Sequence, residues 1–203
     1  MKDVFTNIYE NNTWGDNNNR SYAGSSGEGS GKDYNKEYVT ILKNIIKNYK
    51  INSVVDLGCG DFIIGEMLYG DLDISYTGYD AYKKVIDYNK TQHAEPKYKF
   101  EHLDFYTDKE SIAKGDMCIL KDVIHHWPTK EIYTFLDYLK KSKKFKYILL
   151  VNCCDQKTHN EDIKVGEFRQ LSCSYLPLRK YNPIKIGNYK TKEISVIVCK
   201  NTE

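Results

Sequence analysis

The sequence predicts an α/β protein built on a mostly parallel β-sheet. Short apolar runs alternate along the chain with amphipathic segments whose apolar residues recur at helical spacing. Strands that alternate with helices are joined by right-handed crossovers and therefore lie parallel. Residues 145–151 form a continuous apolar run, the pattern of a strand buried on both faces. The last apolar run, 194–199, follows an irregular stretch, which predicts that the final strands return as an antiparallel hairpin.

Each predicted element follows from a local pattern. The first helix spans 33–49, where apolar residues such as Tyr38, Leu42 and Ile46 recur every three or four positions. Thr129 is the expected N-cap of the last helix. The other helices are predicted over 62–69, 82–90 and 130–140. The strands are predicted over 53–57, 74–79, 98–103, 116–121, 145–151 and 194–199.

Length and composition limit the class of protein. With 203 residues and 40 % apolar content, the chain is predicted to be a single domain, 1–203, with a sizeable core. The formal net charge of +2 gives no basis for a nucleic-acid or membrane partner, and no stretch reaches membrane-spanning length. No pair of the six cysteines has C-x-x-C spacing, which favours a reduced, cytoplasmic protein. We expect a monomer or a homodimer.

Composition also divides the chain into three parts. Residues 1–31 are polar and glycine-rich, and a segment of this kind is flexible on its own. It contains Trp14 and Tyr22, however, and aromatic residues in a glycine-rich loop favour a lid that orders over a ligand. We expect residues 33–152 to form a cofactor-binding core, and residues 153–203 to supply a substrate-side segment and the C-terminal strands.

A glycine turn follows the first predicted strand. In the stretch Val-Val-Asp-Leu-Gly-Cys-Gly-Asp, Gly58 and Gly60 allow a sharp turn and leave room for a ligand against the main chain. Asp56 and Asp61 lie on either side of this turn. A ligand at this loop must therefore tolerate negative protein charge.

Two phosphate-containing ligands fit this loop poorly. A P-loop has a lysine and a hydroxyl residue after its last glycine, where this chain has Glu66 and Met67. A dinucleotide site has a third glycine where this chain has Ile63, and Asp61 is unfavourable beside a pyrophosphate.

S-adenosylmethionine (SAM) matches the charges of the loop better. Its methionine end carries an ammonium and its sulfur is cationic, so Asp56 and Asp61 favour its binding. Asp80 ends the second predicted strand and can accept hydrogen bonds from the ribose hydroxyls. Asp104 ends the third and can receive the adenine amino group, while Phe105 beside it can stack on the ring.

These residues resemble the first motif of class I SAM-dependent methyltransferases, over about residues 33–152. The resemblance implies a Rossmann-like three-layer sandwich with a mostly parallel seven-stranded sheet whose last strand is antiparallel. It also implies that SAM is the cofactor and S-adenosylhomocysteine the product. The cofactor residues that it implies are Asp56, Gly58, Gly60, Asp61, Asp80, Ala81, Asp104, Phe105 and Lys121.

The segment after the fourth predicted strand carries two candidate catalytic residues, His125 and His126. Methyl transfer is an in-line displacement, so the enzyme mainly holds the acceptor in line. A hydroxyl acceptor loses its proton in this reaction, and histidine can take that proton at neutral pH. The alternative is that either histidine packs structurally. No third ligand follows at a recognisable spacing, so we predict no metal.

A second resemblance covers nearly the full chain and concerns short methyltransferases of bacterial and viral surface-glycan genes. It is carried by the Ser-Gly-Glu-Gly-Ser leader, the Lys-Asp-Val-x-x-His segment and Gly-x-x-Arg. It implies that the leader, with Gly27, Gly29 and Ser30, closes over the cofactor. It also implies that Trp14, Tyr22 and Arg169 face the acceptor. The chain departs from the usual pattern at His125 and in the stretch 173–177, which affects the substrate more than the reaction.

The sequence therefore predicts a SAM-dependent methyltransferase that O-methylates a sugar, a nucleotide-linked sugar or a glycan-attached group in surface polysaccharide biosynthesis. A small-molecule methyltransferase of other metabolism and a non-catalytic cofactor-binding module remain alternatives. An RNA methyltransferase is disfavoured by the nearly neutral charge of the chain.

Overall fold

The computed structural model describes residues 1–17, 20–154 and 161–199. The chain folds into two compact units, residues 1–112 and 113–203. Each unit contains α-helices and β-strands and has its own apolar core. The prediction that the chain is a single domain stays a prediction.

The first unit begins with a helix that the sequence did not lead us to expect. Its helices are α1 (Lys2–Glu10), α2 (Lys36–Asn48), α3 (Gly65–Tyr69) and α4 (Lys83–Gln92). Its strands are β1 (Ser53–Leu57), β2 (Ser75–Asp80) and β3 (Tyr98–His102). Helix α2 buries one face, which carries Tyr38, Leu42 and Ile46, so the predicted spacing is observed.

The three strands of the first unit lie parallel. Asp56 lies opposite Gly78 in the β1–β2 pair, and Asp80 lies opposite His102 in the β2–β3 pair. Parallel strands present their carboxyl ends at the same edge of a sheet. The segments that follow β1, β2 and β3 therefore group at one edge, as the sequence predicts.

In its described residues, 113–154 and 161–199, the second unit has one α-helix, α5 (Thr129–Lys141), and four strands. The strands are β4 (Met117–Lys121), β5 (Tyr147–Cys153), β6 (Ile184–Tyr189) and β7 (Lys192–Val198). Strand β4 pairs parallel with β5, whereas β7 pairs antiparallel with both β5 and β6. In the β5–β7 pair Lys192 lies opposite Cys153, which places the start of β7 at the end of β5.

The predicted fold class is confirmed. The seven strands have the order β3-β2-β1-β4-β5-β7-β6 in one mostly parallel sheet with antiparallel pairing at β7. Residues 148–151 of β5 are fully buried, in agreement with their continuous apolar run. Strand β6 begins at Ile184, directly after the segment 153–183 that the sequence predicts to be irregular. Residues 155–160 of that segment lie outside the described ranges. Within the ranges that the structure describes, no helix is long and apolar enough to cross a membrane.

Candidate active site

The turn after β1 has the backbone conformation that its glycines predict. Gly58 and Gly60 have φ angles of +87° and +54°, in the left-handed region that glycine adopts without a side-chain clash. The main-chain N–H groups of Gly58 and Cys59 donate to the carbonyl of Tyr79, over 2.8 and 3.0 Å. These bonds hold the glycine loop, residues 58–61, against the end of β2.

Asp80 lies directly beside the glycine loop. Its Oδ2 accepts a hydrogen bond from the N–H of Gly60 at 3.0 Å, and its Oδ1 accepts one from the N–H of Tyr82 at 2.9 Å. Because the carboxyl group is buried, its pKa is raised to about 6. The predicted ribose acid therefore adjoins the loop, and its charge depends on pH in the range below neutrality.

The two acids around the glycine turn already have protein partners. Asp61 is buried, and its Oδ2 is 2.8 Å from Nη1 of Arg20 in the leader. Burial raises the pKa of Asp61 even though Arg20 lowers it. Asp56 accepts a hydrogen bond from the hydroxyl of Tyr76 at 2.9 Å. The structure thus reveals Arg20 as a residue of this site.

Asp104 and Ala81 lie at the ends of neighbouring strands, as predicted. The Asp104 carboxylate accepts main-chain N–H groups from Lys2 at 2.9 Å and Tyr106 at 3.2 Å. Burial would raise the pKa of Asp104, but donors such as Lys2 hold it below the usual value. The Ala81 carbonyl is 3.1 Å from Nε2 of His102. Phe105 is buried next to Asp104, and its stacking on adenine stays a prediction.

The leader contacts the glycine loop through Ser26. The Ser26 hydroxyl accepts a hydrogen bond from the N–H of Asp61 at 3.1 Å and lies 3.0 Å from the Tyr9 hydroxyl. A Cβ atom at Gly60 would lie only 2.5 Å from Ser26 Oγ. The Ser26 hydroxyl therefore occupies the space on the side of Gly60 where other residues carry Cβ.

The predicted leader residues bond mainly within the leader itself. Ser30 Oγ donates to the carbonyl of Gly27 at 2.7 Å, and the amide of Asn35 donates to the carbonyl of Gly29 at 2.8 Å. Gly27 has a φ of +85°. These bonds shape the 3₁₀ turn Glu28–Ser30, and the contact of this turn with a cofactor stays a prediction.

The aromatic residues of the leader pack into a cluster in the first unit. Tyr9 stacks on Tyr82 with ring centroids 4.5 Å apart, and Trp14 lies 6.0 Å from Tyr9. Tyr22 is buried against the same rings, and its hydroxyl accepts a hydrogen bond from Arg20 at 2.9 Å. The predicted acceptor contacts of Trp14 and Tyr22 are not tested by this packing and stay predictions.

In the second unit, His125 is a buried, neutral histidine. Its Nδ1 is 3.4 Å from the main-chain N–H of Cys153, so this nitrogen accepts. Burial, together with the neighbouring His126, lowers the pKa of His125 to about 3. His125 is therefore uncharged at neutral pH and is held inside the unit.

His126 has the tautomer and charge that a general base needs. Its Nδ1 lies 3.0 Å from the carbonyl of Glu167, and only a protonated nitrogen can donate to a carbonyl. In the neutral ring the lone pair is then on Nε2. Burial lowers the pKa of His126, so the ring is neutral at neutral pH. His126 is also only half-buried, whereas His125 is 3 % exposed.

An ionic cluster surrounds Asp122, two residues before the 3₁₀ turn Ile124–His126, here called the histidine turn. Asp122 has a φ of +58°, and its carboxylate is 2.8 Å from Nζ of Lys121 and 2.5 Å from Nζ of Lys192. Burial would raise the pKa of Asp122, but Lys121, His125 and Lys192 together hold it well below the usual range. The predicted cofactor contact of Lys121 stays a prediction.

The same region brings together three groups that could ligate a metal. Ligand atoms of Asp122, His125 and Cys153 all lie within 4.8 Å of one another, and oxygen, nitrogen and sulfur donors suit zinc. However, the ammonium of Lys192 contacts Asp122 and lies 3.7 Å from Cys153 Sγ. The positive charge of Lys192 thus already interacts with two of the three donor groups, Asp122 and Cys153. The absence of a metal cofactor stays a prediction.

Arg169 braces the backbone of the histidine turn. Its Nη2 donates to the carbonyl of Trp127 at 2.8 Å, and its Nη1 donates to Oγ1 of Thr129 at 2.9 Å. The main-chain N–H of Arg169 donates to the carbonyl of His125 at 3.1 Å. Only 6 % of the residue is exposed. These contacts give Arg169 a structural role, and its predicted contact with an acceptor stays a prediction.

The fold and the acids at the glycine loop define the class of SAM-dependent methyltransferases. The sequence model of the O-methyltransferase domain matches residues 32–171, and the chain belongs to that family. Its cofactor is therefore SAM. The search of curated proteins gave no match.

Solved methyltransferase structures have the same fold. The methyltransferase domain of bacterial CtHen1-C is 14 % identical, with a TM-score of 0.63 over 81 % of this chain and 98 % of that chain. The N-methyltransferase NodS from Bradyrhizobium japonicum, in complex with S-adenosylhomocysteine, is 10 % identical, with a TM-score of 0.62 over 85 % and 91 %. The N-terminal domain of EvdMO1, in the presence of S-adenosylhomocysteine and D-fucose, is 11 % identical, with a TM-score of 0.63 over 91 % and 88 %.

Proposed function

We propose that the protein transfers the methyl group of SAM to a hydroxyl oxygen of a sugar, a nucleotide-linked sugar or a glycan-attached group in surface polysaccharide biosynthesis. The observation that carries this proposal is the state of His126. A hydroxyl is a weak nucleophile until a base takes its proton, and a neutral imidazole with its lone pair on Nε2 can take it.

The residues of the glycine loop suit the cofactor. SAM supplies a methyl group made electrophilic by its sulfonium. Asp80 would hold the ribose, since the main-chain donors Tyr82, Gly60 and Ala81 leave the carboxylate further acceptor capacity. Asp104 would bind the adenine amino group. Asp61 and Asp56 would favour the ammonium, because carboxylates attract the methionine end of the cofactor.

His126 acts on the acceptor in this proposal, and His125 supports it. The N–H of Cys153 and the buried surroundings keep His125 neutral, so it does not repel a proton that His126 takes up. The Glu167 carbonyl, which accepts from Nδ1, also stabilises the imidazolium that forms. Proton transfer of this kind contributes roughly a hundredfold to ten-thousandfold to a rate.

The sugar acceptor is supported by two independent likenesses. The leader and the Gly-x-x-Arg segment resemble methyltransferases of surface-glycan genes. The EvdMO1 domain, whose structure was determined with D-fucose, has the same fold. The family description, an O-methyltransferase domain, agrees with a hydroxyl as the methylated group.

The proposal predicts that His126→Gln loses turnover but keeps the cofactor. S-adenosylhomocysteine formation is measured with SAM and a panel of sugars, nucleotide sugars and glycan fragments. Calorimetry with S-adenosylhomocysteine is run on the same samples. We expect turnover to fall at least a hundredfold in His126→Gln, with cofactor affinity unchanged within twofold.

The controls separate the alternatives. His125→Gln keeps a neutral, hydrogen-bonding side chain at the buried position, and we expect it to retain most of the turnover. Full turnover in both variants would show that neither histidine is the base. Cofactor binding without turnover on any sugar would refute the proposed acceptor class and leave the cofactor assignment intact.

A further inference from the structure

An arginine of the leader forms an ion pair with an acid of the glycine loop. Nη1 of Arg20 is 2.8 Å from Oδ2 of Asp61, although the two residues are 41 positions apart in the chain. The Asp61 side chain is 4 % exposed, whereas that of Arg20 is 24 % exposed. A ligand at the loop can therefore contact the guanidinium from the solvent side.

Two aromatic residues fix the orientation of this guanidinium. Nη1 of Arg20 also donates to the hydroxyl of Tyr22 at 2.9 Å, and Cζ lies 5.6 Å from the ring centroid of Tyr88. Arginine held in this way offers a planar, pre-organised set of donors that matches a carboxylate. The leader thus presents an anion receptor beside a buried acid.

The methionine end of SAM carries both charges that such a pair can bind. It has an ammonium and a carboxylate on the same carbon atom. The residues that the sequence predicts for this end, Asp56 and Asp61, are both acids and can bind only the ammonium. The carboxylate needs a cation, and Arg20 is the side chain that the structure places against Asp61.

We propose that Arg20 binds the α-carboxylate of SAM while Asp61 binds its ammonium. The ion pair between the two residues opens, and each side chain takes the oppositely charged group of the cofactor. One ion pair is thereby exchanged for two. The leader then closes through a bond to the cofactor itself, in addition to the contact of Ser26 with the loop. This inference rests on the cofactor and is independent of the proposed sugar acceptor.

The test compares two ligands that differ only in the carboxylate. S-adenosylhomocysteine has the carboxylate and ammonium, and its decarboxylated analogue, 5′-deoxy-5′-(3-aminopropylthio)adenosine, has only the ammonium. Calorimetry on the full chain gives both dissociation constants for the wild type and for Arg20→Met. We expect the variant to bind S-adenosylhomocysteine roughly tenfold to a hundredfold more weakly, with affinity for the analogue within twofold of the wild type.

The ratio of the dissociation constants of the two ligands cancels any effect of a substitution that weakens both ligands equally. Loss of Arg20 leaves Asp61 without this cation, but both ligands carry the ammonium that Asp61 attracts. Arg20→Lys keeps the positive charge and should retain part of the preference for the carboxylate. Thermal unfolding of each variant shows whether it is folded.

A matched control disturbs the leader without touching the glycine loop. Glu10 accepts the hydroxyl of Tyr82 at 2.9 Å and pairs with Lys84 at 2.8 Å. We expect Glu10→Gln to change the affinity for both ligands by the same factor. Equal weakening of both ligands in Arg20→Met would overturn the proposal in favour of a purely structural brace.

Two other outcomes would also overturn it. Tighter binding of S-adenosylhomocysteine by Arg20→Met would show that Arg20 competes with the ammonium for Asp61. Failure of the wild type to bind either ligand would refute this inference together with the cofactor assignment. In contrast, failure to methylate any sugar would leave the ratio of the two dissociation constants, and hence this inference, unaffected.

Discussion

Asp80 is the acid of the cofactor site whose charge changes within an accessible pH range. Its pKa is raised to about 6 by burial, although main-chain donors such as Gly60 oppose the shift. In the proposed ribose contact the ionised carboxylate accepts a hydrogen bond from both ribose hydroxyls, so this contact requires Asp80 to lose its proton. Below pH 6 that loss becomes less favourable by about 1.4 kcal/mol for each pH unit.

We therefore predict that the affinity for S-adenosylhomocysteine falls roughly tenfold between pH 7 and pH 5, with roughly fivefold of that loss below pH 6. In Asp80→Asn the affinity should be weaker at pH 7.5 and should lose this dependence on pH. Calorimetry at half-unit intervals from pH 5 to 7.5 measures both effects. A wild-type affinity that is constant over this range would contradict the ribose assignment.

The positions of single residues were predictable where a motif is local, although their cofactor contacts stay predictions. Gly58, Gly60 and Asp61 lie within one stretch of four residues, and Asp80 ends the next strand, so pattern and spacing were sufficient to place them at one edge of the sheet. Arg20 and Lys192 were missed for the opposite reason. Their partners lie 41 and 70 positions away, and nothing in the local sequence links an isolated basic residue to a distant acid.

At the scale of an element, helix α1 shows how composition misleads. The first residues were grouped with a glycine-rich leader because polar residues dominate it. Yet Val4, Phe5, Ile8 and Tyr9 follow helical spacing, and Ile8 and Tyr9 are buried in the helix that forms. The spacing was present in the sequence, but a helix of this length is marginal without the packing that its tertiary neighbours supply.

The segment that braces the histidine turn is the element whose role changed most. Gly166 donates its N–H to the carbonyl of His126 at 2.9 Å, and Arg169 reaches the carbonyls of His125 and Trp127. The sequence presented Arg169 as a substrate residue because arginine commonly clamps anions. The structure gives its guanidinium acceptors within the protein, which only the folded chain brings together, and the predicted substrate contact stays untested.

We predict that Arg169→Met lowers the free energy of unfolding by about 2–3 kcal/mol, because buried hydrogen bonds to a charged group are lost. Urea unfolding measures this change, and Arg179→Met, at an exposed position of the same unit, should change stability by less than about 0.5 kcal/mol. Unchanged stability of Arg169→Met with a raised KM for the acceptor would instead favour the substrate role.

At the scale of the whole molecule, sheet topology was the most predictable feature. The alternation of strands and helices requires parallel pairing through right-handed crossovers, and the observed order agrees. Strand β6 was not recognised as a separate strand because its residues are largely exposed and include Gly187. A half-exposed edge strand lacks the continuous apolar run that marks the buried central strands β4 and β5.

His125 links the stability of the fold to pH. Its folded pKa of about 3 lies below the ordinary value of 6.5, so between these values the unfolded chain binds a proton that the folded chain does not. Neutral His125 therefore stabilises the fold fully above pH 6.5, and this contribution is lost as the pH falls toward 3. Asp80 acts in the opposite direction, since its raised pKa makes stability fall as the pH rises from about 4 to about 6.

The two effects are separated by comparing the wild type with His125→Gln. Glutamine can accept the N–H of Cys153 but does not titrate, and Asp80 is unchanged in both proteins. From pH 6.5 to 5, we expect the wild type to lose about 1.6 kcal/mol more unfolding free energy than the variant, because the unfolded histidine goes from half to fully protonated and one proton corresponds to about 1.4 kcal/mol per pH unit. Urea unfolding at both pH values measures this difference. Equal pH dependence in the two proteins would mean that His125 can take up a proton in the folded state, and it would then no longer keep its neighbour His126 free of repulsion.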